Sequence, residues 1–186
     1  MVQTVLGIDP SLTATGVAWV SRDGANVSTP LTATLHSTGR RDDPLSARAA
    51  RIEGIVHDFC VLLGHIPGKF TMAVMEGPSH GSVGGSAWDR AGLWWRLDGV
   101  LRSVKAPVAI CAPGTRIKWA TGSGRATKST KSDVAVALSR LWPDVDAKGD
   151  NEWDALSLGT IGAQHLGWDV PGRAHHPESV RKVAWP

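Results

Sequence analysis

Three acidic residues stand in settings that suit the binding of a hard cation. Asp9 lies in Gly7-Ile8-Asp9-Pro10, Glu76 in Met75-Glu76-Gly77-Pro78, and Asp154 in Asp154-Ala155-Leu156. Carboxylates brought together raise one another's pKa unless a positive charge sits among them. Mg²⁺ meets that demand: it prefers oxygen ligands, keeps some of its water and shares its shell with substrate phosphate. Two such ions a few ångströms apart would activate a water and stabilise the leaving oxygen in phosphodiester cleavage, with Mn²⁺ able to substitute. Taken singly, each residue also has an ordinary reading. Asp-Pro starts turns, a strand end often carries an exposed Glu, and an acid in a first helical turn favours the macrodipole.

These residues matter only if elements carry them to one place. Val2 to Ile8 is rich in β-branched residues and predicts a buried strand that delivers Asp9 at its end. Gly16 to Ser21 predicts a second strand, Asp23-Gly24 a hairpin turn, and Val27 to Ser37 a third strand with Pro30 near its start. Asp43-Pro44 predicts a helix start, Asp as cap and Pro at the first helical position. Leu45, Ala49, Ile52, Val56, Phe59 and Leu63 then recur at helical spacing. Phe70 to Met75 is a fourth strand leading into Glu76, and Pro107 to Ala112 a fifth. If the first and fourth strands are neighbours, Asp9 and Glu76 leave the sheet at one edge. Helices are predicted over Thr115 to Ala120, Lys128 to Leu141 and Asn151 to Leu166, the last capped by Asp150 and carrying Asp154 in its first turn or so. A meander followed by single strands separated by helices specifies an α/β fold with a mixed sheet.

The helix over Ser86 to Val104 has apolar residues on two faces. Leu93, Leu97, Leu101 and Val104 form one stripe, which should meet the sheet; Trp88, Gly92, Trp95 and Gly99 form another almost opposite. Either a loop or the C-terminal segment covers the second stripe, or it is a subunit interface.

At 186 residues the chain fits one domain, expected over residues 1–166, with 167–186 as an irregular C-terminal tail. A mean hydropathy of −0.09 and no long apolar run argue against a membrane span. No signal peptide is visible, and Cys60 and Cys111 lack metal-ligand spacing, so a reduced cytoplasmic setting is expected. The histidines have no ligand spacing either; His175-His176 reads as solvated. The net charge of +3 permits nucleic acid without requiring it, but its distribution is uneven. Arg116, Lys118, Arg125, Lys128 and Lys131 crowd one glycine-containing stretch. Gly122 and Gly124 there permit close approach to phosphate, and Lys118, Arg125 and Lys131 supply charge for a DNA backbone. The stretch misses the nucleotide-binding P-loop, since Thr127 stands at the second required glycine. With no base-reading motif, recognition of DNA shape is expected.

Gly7-Ile8-Asp9-Pro10-Ser11 with Thr15-Gly16-Val17 resembles the opening of the RuvC-type Holliday junction resolvases. Met75-Glu76-Gly77-Pro78 is similar to their second acidic motif. Ala112-Pro113 through Lys118, Thr121-Gly122-Ser123-Gly124 and Lys128 resembles their DNA-binding stretch, and Asp154-Ala155-Leu156-Ser157-Leu158 their last acidic helix. The four motifs keep the family's order across roughly residues 3 to 166. The resemblance implies an RNase H-like fold, a five-stranded mixed sheet with helices on both faces. It implies a crossover junction endonuclease of DNA recombination and repair, with Asp9, Glu76 and Asp154 as catalytic metal ligands and Lys128 at the scissile phosphate. It further implies a homodimer joined through the Trp88, Gly92, Trp95 and Gly99 face.

Two positions depart from that pattern. The family's further ligand, three residues before the last Asp, falls on Asn151, whose amide oxygen coordinates without charge; Asp150 is the second choice, and Glu152 points away. After Glu76, where family members often carry an aromatic, this chain has Pro78, Ser79 and His80. Trp88 either reaches into an opened junction or belongs to the interface. The same chemistry would serve a flap or fork nuclease, and loss of a carboxylate at Asn151 also suits a non-catalytic binder of branched DNA. The departures tilt the expected source towards a bacteriophage.

Overall fold

A computed structural model describes residues 1–78, 87–123 and 130–186. Its centre is a mixed sheet. β1 (Gln3–Asp9) runs antiparallel to β2 (Ala14–Asp23) and parallel to β5 (Lys69–Glu76), which is parallel in turn to β6 (Val108–Cys111). The far edge of β2 pairs with two short strands, β3 (Asn26–Val27) and β4 (Leu31–His36). The third meander strand, expected unbroken over Val27 to Ser37, is therefore two, and the sheet has six strands with five in the main order. Pro30 lies in the gap between them, where a residue without an N–H interrupts the ladder.

Alternation along the strands divides the core into two layers. Leu6, Ile8, Ala73 and Met75 face α1 (Leu45–His65) and α2 (Ala87–Ser103). Val5, Met72 and Val74 face the opposite way, towards α3 (Pro113–Thr121), α4 (Thr130–Leu141) and α5 (Asp150–His165). By the two-residue period, Asp9 follows Val5 and Gly7 onto the α5 face, and Glu76 follows Met72 and Val74 onto it.

Two glycines let α5 sit unusually close to the strands. A Cβ at Gly7 would stand 2.0 Å from the Ala155 carbonyl oxygen, and one at Gly16 would stand 2.0 Å from that of Asn151. The first turns of α5 are thereby pressed against β1 and β2 beside the carboxyl end of β1.

Caps differ from expectation at two helices. Pro44 is the cap of α1, while the Asp43 carboxylate accepts a hydrogen bond from the Arg40 N–H. Gly149 caps α5, and Asp150 is its first helical residue. The segment after Gly167, expected to be irregular, carries α6 (His176–Val180) and a bridge between Ala184 and Ile110 of β6. His176 is buried rather than solvated, its ring tilted 30° against that of Trp119 with centroids 4.2 Å apart. No described helix is long and apolar enough to cross a membrane.

Candidate active site

β1 and β5 pair in register up to Ile8 and Met75, so the next residues, Asp9 and Glu76, leave neighbouring parallel strands side by side. Glu76 is further fixed from behind, where the Trp94 indole N–H donates to its carbonyl oxygen at 2.9 Å. Asp154 comes from the second turn of α5 and is buried. The three carboxylates chosen from sequence thus occupy one face at one sheet edge.

Between them lies a residue that the sequence had grouped only with the DNA-binding cations. Arg116, 6% exposed, donates from Nε to Glu76 Oε2 and from Nη1 to Asp154 Oδ1. Burial opposes its charge most strongly, yet the fields of Glu76, Asp154 and Asp9 raise its pKa above the ordinary arginine value. Pro113 at the first helical position starts α3 and Gly122, with a φ of 81°, ends it; between these stops Arg116 points at the sheet edge. The signal available in sequence was the need for a positive group among the acids.

Asn151 lies in the first turn of α5, its backbone against Gly16, the β2 partner of Asp9. Asp150 is exposed beside it. Glu152 turns away and is anchored: it accepts bonds from Thr32 Oγ1 at 2.6 Å, Thr34 Oγ1 at 2.9 Å and the Lys148 N–H at 2.8 Å. Cys111, next to Glu76 in register, is no nucleophile. Burial, then the nearby Glu76 charge, pushes its thiol up to about 12.

A cleft of about 410 Å³ opens beside the acids, lined among others by Asp9, Glu76, Arg90, Trp94 and Trp95. The donor set suits a hard cation in chemistry and in charge. As the side chains stand, no group of three His, Cys, Asp or Glu among the described residues encloses an ion, because Arg116 spans two of the acids.

Lys118 on α3 pairs with Glu178 of α6 at 2.8 Å. Hydrogen bonds from Lys118 and then Lys182 hold the Glu178 carboxyl down at about 2. Gly122 follows at the end of α3. Gly124, Arg125 and Lys128 lie outside the described residues, as do Ser79 and His80, and so does the side chain of Lys131.

On α2, Leu93, Leu97 and Leu101 are buried against the sheet, whereas Val104, just past its end, is 40% exposed. On the opposite stripe Trp88 is 88% and Trp95 66% exposed, so no described segment covers them. A Cβ at Gly92 would only touch Ile52, and one at Gly99 would meet open space.

No family model matches the chain, and no curated protein matches it. Solved structures do. A structure of Thermus thermophilus RuvC superposes with a TM-score of 0.63 at 18% identity, covering 90% of this chain and 99% of that one. A structure of T. thermophilus RuvC in complex with a Holliday junction substrate gives 0.64 at 21% identity, covering 90% and 98%. The chain has a RuvC-like fold.

Proposed function

We propose that this chain is a metal-dependent endonuclease of branched DNA that resolves Holliday junctions by paired nicks. The observation that carries the reading is the convergence of Asp9, Glu76 and Asp154 on the α5 face of a RuvC-like sheet. Asp9, Glu76 and Asp154, with the Asn151 amide oxygen or else Asp150, would hold Mg²⁺ or Mn²⁺. When bound, that metal supplies water activation and stabilises charge on the phosphate.

The chain's own residues do the rest. Gly122 and Gly124 admit the DNA backbone, Lys118, Arg125 and Lys131 neutralise it, and Lys128 meets the phosphate at the cut. Lys118 reaches a phosphate by exchanging its Glu178 partner for it. A second copy of the chain would dock on the Trp88 and Trp95 stripe, with Gly92 and Gly99 admitting close contact; pairing two sites is what symmetric nicking requires. The likeness to a RuvC bound to a Holliday junction supports a four-way junction as substrate. A bacterial or phage-infected cytoplasm is the setting that suits this activity.

The test is cleavage of a synthetic four-way junction and a matched flap in Mg²⁺ and in Mn²⁺, with Asp9→Asn alongside. Paired symmetric nicks in the junction, abolished by the substitution, are expected. Nicks in the flap alone would keep the chemistry and remove the junction assignment. A second reading, a binder of branched DNA without nuclease activity, is favoured by the uncharged Asn151 and by Arg116 lying between two acids. Tight binding with no nicks under either metal would establish it.

A further inference from the structure

We propose that Glu152 is a positioning residue of the active site, clamping the first turn of α5 to β4 so that Asn151 and Asp154 are held in place for the metal. This rests on the metal-dependent reading above. The sequence offered Glu152 only as pointing away from the acids. It does, and what it meets is the far end of the row of the sheet on which Asp9 stands. Asp9 on β1 is paired with Gly16 on β2, and Gly16 with Thr34 on β4. The opening of α5 crosses that row. The Asn151 backbone rests on Gly16, and the Glu152 carboxylate accepts from the Thr34 hydroxyl at 2.9 Å. It also accepts from the hydroxyl of Thr32, two residues along the same face of β4, at 2.6 Å.

The clamp is directional. Glu152 is 4% exposed, and a carboxylate at that depth is costly unless its oxygens find donors. The Lys148 N–H, at 2.8 Å, is a third. A glutamate at the third position of a helix can reach back to the N–H of the cap. Here it reaches one residue further, past Gly149, which has no side chain to cap the helix. An apolar side chain against β4 would serve stability as well, without fixing an angle. Glu152 and Asp154 are two residues apart and so lie on roughly opposite sides of the helix. The Asn151 carbonyl against Gly16 is the fulcrum between them. A roll of α5 that frees Glu152 from β4 therefore shifts Asp154 relative to Asp9 and Glu76. Misplacement of that kind by about 1 Å is enough to cost a large factor in rate. Glu152 acts on the metal through the helix.

The experiment compares wild type, E152A, E152Q and T34V as full chains. Mn²⁺ affinity without DNA is read from the electron paramagnetic resonance signal of unbound Mn²⁺. Single-turnover nicking of a four-way junction per folded molecule, junction affinity in EDTA and melting temperature are read alongside. E152A should weaken Mn²⁺ binding about tenfold and slow nicking at limiting Mn²⁺, with junction affinity unchanged. Raising Mn²⁺ should restore much of the rate. E152Q keeps an acceptor oxygen, and the Thr34 hydroxyl can turn to accept from its amide, so it should lose no more than about threefold. T34V removes one of the three bonds and should fall between wild type and E152A. A lower melting temperature in E152A with wild-type Mn²⁺ affinity and nicking would overturn the inference, leaving Glu152 a stabilising group only. Equal losses in E152Q and E152A would also overturn it, by assigning the effect to charge rather than to the pose of α5. If E152A does not fold, T34V decides, and unchanged Mn²⁺ affinity there would count against the clamp. A wild type that neither binds Mn²⁺ nor nicks would remove the metal reading and this inference together, before any variant is compared.

Discussion

The two faces of the sheet are built from different materials. The layer under α1 and α2 is a hydrocarbon contact of Leu, Ile, Val, Phe and Met, with Asp98 its one buried charge among the described residues. The layer under α3, α5 and α6 buries Arg116, Glu152, Asp154, Ser157, Thr160, His176 and Ser179 within an apolar surround. Apolar contact needs only shape, whereas a buried polar group needs a partner with the right geometry. One face can therefore supply stability while the other holds charges where chemistry requires them. The acids reach the second face because the strand period and the two glycines under α5 leave them no other place.

Four substitutions probe that division. The largest effect is expected at Asp154→Asn. On the metal-dependent reading proposed above, losing charge stabilisation of several kcal/mol should slow junction nicking about 10³-fold, measured as single-turnover cleavage with the circular dichroism spectrum unchanged. A rate near wild type would mean the α5 face is not the chemical one. Leu97→Ala, fully buried on the other face, should cost about 3 kcal/mol in urea unfolding while leaving the nicking rate per folded molecule within about twofold.

His176 tests whether a polar group on the α5 face carries a cost of its own. Burial, then the charges of His175 and Arg173, pushes its pKa down to about 4. Its Nδ1 already accepts from Gln164 Nε2 at 3.0 Å and from the Arg173 N–H at 3.3 Å. The unfolded chain therefore binds the proton more readily. Stability should be full above about pH 6.5 and fall towards pH 4, by about 3 kcal/mol. His176→Gln should flatten that limb of the unfolding profile; an unchanged slope would assign it to other groups. The smallest effect is expected at Glu178→Gln. Freeing Lys118 should tighten junction binding two- to threefold at low salt, with the gain fading as salt rises.

The α/β class with a mixed sheet and the element ends that carry the three acids were legible because each rests on local pattern, whereas the pairing of β1 with β5 entered only as a condition. Alternation places Asp9 and Glu76, and the opening turns of a helix place Asp154. Arg116 was not legible in that way. Its neighbours in sequence are Lys118, Lys128 and Lys131, which the sequence offers as contacts for a DNA backbone, and only the packing of α3 against the sheet edge separates it from them. The burial of His176 was hidden for a similar reason. A Pro-, Gly- and His-containing segment reads as solvated until Trp119, far away in sequence, and Gln164 at the end of α5 supply its partners. The split at Pro30 was missed because a proline near a strand start permits either one strand or two.

The bridge between Ala184 and Ile110 acts at the margin of the sheet. β6 is an outer strand, and its free N–H and C=O groups would invite pairing with another molecule. The Ile110 N–H donates to Ala184 O and the Ala184 N–H to Ile110 O, both at 3.0 Å, so the end of the chain takes the place an intruding strand would need. The segment that packs His175 and His176 against α3 thereby also covers the outer edge of β6 at Ile110.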